Sequence, residues 1–286
     1  NLLLIRLFCE TELYSQAAML LSQIQLSADQ AHFECVKTVL INLARTNPSL
    51  DSFDTASAVV ALLRWLEQNC PDVKLVAELE YLLFDYVEVG GPARALYELI
   101  GEDSSLFVNL VLNGYSSSVV DSRLSCWTFS RERSRHVVSR WTHFPWGDDK
   151  LCKFEAWLND VSSALTNHGF DTLLDDLLAP VFAVANTDAN GVWPVCGVRR
   201  IIDHLNRQSL SHKIAFCRFS IECGDEDVAF DNPDHLSELA IRYKENSDKW
   251  IATSPQCSYM LSVLSRLLSD LVVDYNGLEH FDSFDI

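Results

Sequence analysis

Lys74-Leu75-Val76-Ala77-Glu78-Leu79-Glu80-Tyr81-Leu82-Leu83-Phe84-Asp85-Tyr86-Val87 is the stretch on which the fold class turns. Leu75, Val76, Leu79, Leu82, Leu83, Tyr86 and Val87 recur at steps of three and four, the signature of one apolar helix face more than three turns long. The stripe stops at Gly90-Gly91, and Pro92 suits the first turn of a following helix, where a missing N–H costs nothing. The same spacing extends in both directions, strict alternation is nearly absent, and Gly and Pro number only 10 and 8 in 286 residues. It predicts helices over about 11–24, 29–46, 53–69, 73–88, 92–100 and 103–113, broken at Ser27, Asn47-Pro48, Asn69 to Pro71 and Gly101. Short links of this kind suit antiparallel helix pairs, hence an all-α, solenoid or helical-repeat-like array. No clean sequence period accompanies it, so no named repeat is assigned.

The character changes between 116 and 147, where Ser116-Ser117-Ser118, a run of arginines and Phe144-Pro145-Trp146-Gly147 read as an irregular connection with room for one short helix. The expected organisation is therefore a helical array over 1–115, an Arg/Trp-rich connection over 116–147 and a second helical unit over 148–286. In that second unit Asp148-Asp149 would cap a helix carrying Leu151, Phe154, Trp157, Leu158, Val161 and Leu165 to Gly169. Further helices are expected at about 171–185, 194–207, 209–223, 233–251 and 254–275, with the acidic run Glu222 to Asp227 as a solvated loop.

Twenty-two basic residues against 40 acidic ones leave a net charge of −18 and a pI near 4.7. That balance argues against a nucleic-acid binder, which needs clustered Lys and Arg to neutralise phosphates. The opening run Leu2-Leu3-Leu4-Ile5 is interrupted by Arg6 and Glu10, too short for a leader or a membrane span, and no later stretch is long enough to cross a bilayer. Starting at Asn1 in what reads as a buried element, the chain is expected to be a piece of a longer polypeptide. Nine scattered cysteines, mostly within apolar helical patterns, suit a reduced, cytoplasmic protein.

No phosphate-cradling glycine loop, nucleophile elbow or C-x-x-C pair is present, so neither catalysis nor a cofactor is expected. Asn186-Thr187-Asp188-Ala189-Asn190-Gly191 imitates the start of a calcium loop, but its closing position is Gly197, which favours a plain polar turn. Cys196, His204, His212 and Cys217 have the wrong spacing for tetrahedral zinc. The least implausible enzyme would be a metal hydrolase using Asp188, His204 and His212.

Two features stand out as interaction candidates. Arg123, Arg131, Arg133, Arg135 and Arg140 concentrate positive charge in an acidic chain, either neutralising its own acids or presenting guanidinium groups to carboxylates of a partner. Trp127, Trp141, Phe144 and Trp146 beside them have the composition of an interface hot spot, or else plug a gap between helical layers. Arg131, Arg133, Arg135, Arg140, Trp141 and Trp146 are thus the candidate partner-binding residues.

Leu79-Glu80-Tyr81-Leu82-Leu83, Pro92-Ala93-Arg94-Ala95-Leu96 and Glu102-Asp103-Ser104-Ser105-Leu106-Phe107, in that order, are similar to a pattern in large, mostly uncharacterised bacterial multidomain proteins. Trp157, Asp188-Ala189-Asn190-Gly191, Trp193-Pro194, Val198-Arg199-Arg200-Ile201-Ile202 and the Ala240, Tyr243, Trp250, Leu261, Leu264, Leu268 set extend the resemblance over roughly 60–270. It departs at Ser220-Ile221-Glu222-Cys223-Gly224, where that group carries an Asn-x-Arg-Gly-Val stretch. Such regions resemble the C-terminal helical parts of antiviral STAND NTPase-type defence proteins. The resemblance implies a sensor that recognises a foreign protein, such as one from a phage, and contacts the rest of its own polypeptide, with the enzymatic chemistry in other domains. A structural or oligomerisation scaffold is the alternative, since both roles bury apolar and Arg/Trp surface against protein.

Overall fold

The computed structural model describes residues 2–46, 52–116, 130–142, 151–224 and 233–282. Among them there are fifteen helices and no strand, so the protein is all-α. None of these helices is long and apolar enough to cross a membrane. Two compact units divide the chain, Asn1–Trp141 and Thr142–Ile286.

The first unit contains α1 (Leu2–Glu10), α2 (Tyr14–Ser22), α3 (Gln30–Thr46), α4 (Phe53–Asn69), α5 (Val73–Leu82), α6 (Phe84–Gly90), α7 (Arg94–Glu102), α8 (Ser104–Tyr115) and α9 (Arg131–Arg140). Several starts are set locally by side chains that accept from otherwise unpaired first-turn N–H groups. Ser52 caps α4 through Thr55 N (3.1 Å), Asp72 caps α5 through Leu75 N (3.2 Å), and Asp103 caps α8 through Ser105 N and Leu106 N (3.0 and 3.2 Å). Of the opening apolar run, Ile5 is buried whereas Leu3, Leu4 and Leu7 are exposed, so the stretch is not the interior element its composition suggests.

The helix expected over 73–88 is two helices. Leu83 leaves helical geometry (φ −106°, ψ 25°), and the chain turns there. Tyr81, Leu83, Phe84, Tyr86 and Val87 are all buried, too wide an arc for one straight helix against one neighbour. The break lets α5 pack on α7 while α6 packs on α4. Gly90 permits the second approach, because a Cβ there would lie 2.6 Å from Val60 Cγ2.

At the centre of this unit Glu80, fully buried, accepts from Arg64 Nη1 (3.2 Å) and from Leu96 N (2.7 Å). Arg64 also pairs with Glu67 (2.9 Å) and donates to Pro92 O. One carboxylate and one guanidinium thus tie α4, α5 and the start of α7 together. Burial pushes the Glu80 carboxyl up to about 7 against the pull of these donors.

The second unit contains α10 (Leu151–Asn167), α11 (Asp171–Ala183), α12 (Cys196–Leu205), α13 (Gln208–Cys223), α14 (Pro233–Trp250) and α15 (Pro255–Asp282). α14 and α15 pack against each other along their length, joined by Ser247 Oγ to Ser258 O (2.9 Å) and Ser265 Oγ to Ala240 O (2.8 Å). α13 packs on α11 and α15. Trp193 is buried with the Arg218 guanidinium 4.9 Å from its ring, Tyr243 edge-on at 6.3 Å, and Tyr243 OH donating to Glu222 (2.7 Å). Arg199 covers the Trp250 ring at 4.2 Å. The Trp193-Pro194 and Val198-Arg199 stretches therefore serve packing in this unit.

Candidate functional site: the arginine helix

Within the 116–147 connection, residues 131–140 form α9, a regular helix of the first unit that packs on α8. Its sequence RERSRHVVSR has one narrow apolar side. Ser134, Val137 and Val138, followed by Trp141, are buried, and at 100° per residue they lie within one sector. The arginines fall on the two flanks of that sector. Arg131 and Arg135, four apart, share one edge; Arg133, His136 and Arg140 occupy the other.

Both ends of α9 are fixed. At its start the buried Tyr81 hydroxyl accepts from Ser130 N (2.9 Å) and lies 3.0 Å from Ser134 Oγ, which also accepts from Asn113 Nδ2 (3.0 Å). Burial pushes the Tyr81 phenol above its ordinary range. At its end Trp141, 1 % exposed, donates Nε1–H to Tyr97 O (3.2 Å) and sets its ring 5.2 Å from that of Phe107. Tyr81→Phe should cost about 1 kcal/mol, the net worth of a neutral hydrogen bond. Hydrogen exchange should show the loss as weaker protection confined to the first turn of α9.

On one edge, Arg131 Nε and Arg135 Nε both donate to Gly114 O (3.3 and 2.5 Å), a carbonyl in the last turn of α8. Carbonyls there lack intrahelical partners and carry the negative end of the helix dipole, so cations suit the position. The Arg135 guanidinium also sits 5.4 Å from the Tyr115 ring centroid. On the other edge, Arg140 Nε and His136 Nε2 meet opposite oxygens of Glu88 at 2.9 and 3.3 Å. Arg133, half-buried, lies 5.8 Å from the Tyr81 ring, and its Nε has no hydrogen-bond partner among the described residues. Arg131, Arg135 and Arg140 remain exposed.

The six candidate residues are thus distributed unevenly. Four arginines share α9, Trp141 is a core side chain beneath it, and Trp146 lies outside the described residues, as do Arg123, Trp127 and Phe144. No family model, curated protein or solved structure matches this chain.

The residues weighed for a metal hydrolase do not meet. Asp188 Oδ1 accepts from Asn190 N and Val192 N (2.9 Å each), and its other oxygen faces Arg199 (3.5 Å). The Val192 N–H, more than any other group, holds this carboxyl below the usual carboxylate range. His212 packs on Phe216 with ring centroids 4.9 Å apart, while His204 stands on α12. Among the described residues no group of three His, Cys, Asp or Glu side chains is placed to hold a metal ion. Asn186 to Gly191 is a turn closed on its own backbone. The Arg64–Glu80 pair has no signature in the sequence, since its members stand 16 residues apart on separate helices.

Proposed function

We propose that the chain is a non-catalytic, cytoplasmic protein-recognition region of a larger bacterial protein, serving as a sensor in antiphage defence and contacting a foreign protein through α9. The observation that supports this reading is the set of exposed guanidinium groups of Arg131, Arg135 and Arg140 on a helix fixed at both ends, in a chain of net charge −18. Guanidinium groups held by one N–H and left open at the others are suited to two-pronged contact with carboxylates. A rigid scaffold carrying such groups loses little side-chain freedom on binding. The partner surface this fits is acidic, a local exception to the repulsion that the rest of the chain exerts on acidic proteins.

The test is capture of individually purified phage proteins by the 286-residue chain, comparing the wild type with the combined Arg131→Ala, Arg133→Ala, Arg135→Ala variant at low and at physiological salt. The variant should bind less, and the loss should be larger at low salt, where exposed charges are least screened. A variant that melts many degrees lower, yet whose folded fraction binds unchanged, would make these arginines internal clamps and place recognition elsewhere.

A further inference from the structure

The edge of α9 that carries Arg131 and Arg135 draws two positive charges onto one oxygen. Arg131 Nε and Arg135 Nε both donate to Gly114 O, at 3.3 and 2.5 Å. Two donors sharing one acceptor place the Nε atoms within about 6 Å of each other, twice the length of a hydrogen bond. The arrangement depends on close contact between α8 and α9. Gly114 permits it, since a Cβ there would lie 3.0 Å from Arg135 Cγ and 3.1 Å from Arg135 N. The Tyr115 ring, its centroid 5.4 Å from the Arg135 guanidinium, restrains that group from a second side. The fold itself therefore sets the spacing of the two guanidinium groups.

The carbonyl does not balance the charge it gathers. The C-terminal end of a helix carries about half a negative charge, against a full positive charge on each guanidinium. Among the described residues the ion pairs of α9 are those of His136 and Arg140 with Glu88, on the opposite edge. Each guanidinium spends its Nε–H on Gly114 and keeps its Nη N–H groups for another acceptor. A carboxylate brings one charge, and its two oxygens fill the fork of a single guanidinium. A phosphomonoester brings about 1.5 to 2 negative charges and three acceptor oxygens, enough to engage both groups at once. Convergence on one point, more than the number of arginines, thus favours the dianion.

We infer that Arg131 and Arg135 together bind a phosphorylated side chain of the protein partner, with phosphate oxygens accepting from both guanidinium groups. The inference rests on the reading of α9 as a recognition surface and narrows the partner of that surface. Both arginines are exposed on a helix edge. Such an edge suits a group presented by a macromolecule, because small free ligands are held in concave sites that bury most of their surface.

The experiment titrates the isotope-labelled full chain with the end-blocked peptide Ala-Ala-X-Ala-Ala, where X is phosphoserine, glutamate or serine, and with inorganic phosphate. NMR reads the side-chain N–H signals of Arg131 and Arg135 and the backbone signals of α9. The phosphoserine peptide should saturate these signals at millimolar concentration or below. The glutamate peptide should bind about tenfold more weakly or worse, the loss of one charge-assisted contact, and the serine peptide should leave them unmoved. Inorganic phosphate should bind more weakly than the phosphoserine peptide, having no chain to lie along the helix. Arg131→Gln and Arg135→Gln, made singly so that a loss of fold in one leaves the other to be read, should each bring the phosphoserine peptide down to the level of the glutamate peptide. Arg242→Gln, which removes the same charge from the exposed face of α14, should change nothing. A glutamate peptide that binds as tightly as the phosphoserine peptide would overturn the inference while leaving α9 a recognition surface. Inorganic phosphate binding as tightly as the peptide would assign the pair to a free anion and overturn it as well. So would the lack of any saturable shift on α9, or a phosphoserine affinity untouched by both glutamine variants. Whether α9 meets a protein at all is decided separately, by the capture experiment.

Discussion

Arg64→Ala is expected to destabilise the first unit by about 3–5 kcal/mol at about pH 8, because it leaves the Glu80 carboxylate buried without its charged partner. Glu80 has no exposed surface and keeps only backbone donors once Arg64 is gone. The cost should depend on pH. In the folded chain burial holds Glu80 at about 7, against 4.5 without that environment. A carboxyl raised in this way binds its proton more readily folded than unfolded between those values. Its contribution to stability is therefore fully present below the lower value and is lost as pH rises through the upper one. The slope is at most about 1.4 kcal/mol per pH unit. Arg64 draws the carboxyl downward, so its removal should push Glu80 further up and carry the loss to higher pH. Near pH 5, where Glu80 is protonated with or without Arg64, the variant should recover about 1 kcal/mol of this cost, what one pH unit above the value of about 7 is worth. Urea unfolding at both ends of this window measures the effect, with Glu80→Gln as the control that removes the slope. An Arg64→Ala cost that is the same at both pH values would show that Glu80 does not titrate there.

Trp141→Ala should cost the same unit about 3–5 kcal/mol, the range for emptying a large aromatic site in a core. The indole is 1 % exposed, packs on Phe107 and satisfies the Tyr97 carbonyl. Trp141→Phe retains most of the apolar contact and gives up only the indole donor, so its cost should be smaller, about 1 kcal/mol, the net worth of one neutral hydrogen bond. Since Trp141 directly follows α9, the alanine variant should also release the end of that helix from Glu88, visible as weaker hydrogen-exchange protection across 136–141. A loss below about 1 kcal/mol would mean that the site collapses around the truncated side chain. Read beside the arginine triple variant, this substitution separates the two roles of the segment. The tryptophan should move stability, and the arginines should move binding.

Local pattern determined much of this protein. The three-and-four spacing places α3 and α4 at 30–46 and 53–69, within a residue of the expected 29–46 and 53–69, because helix periodicity is a property of neighbouring side chains. The caps at Ser52, Asp72 and Asp103 act over two or three residues and are equally local. The break at Leu83 was not legible, since the same apolar stripe suits one straight helix; packing on α7 and on α4 in succession decides it.

The arginines show the same division. Four of them are plain in the sequence, and their sorting onto two edges follows once 131–140 is helical. That Arg131 and Arg135 would hold the Gly114 carbonyl, or that Trp141 would lie under Tyr97 and Phe107, depends on contacts 17 to 44 residues apart. Sequence alone determined which segments are helices and which side chains share a helix face, because those follow from spacing along one chain. Tertiary structure alone decided which faces meet, and so which charges are neutralised internally and which remain to be met from outside, because that depends on how apolar surfaces distant in sequence bury one another.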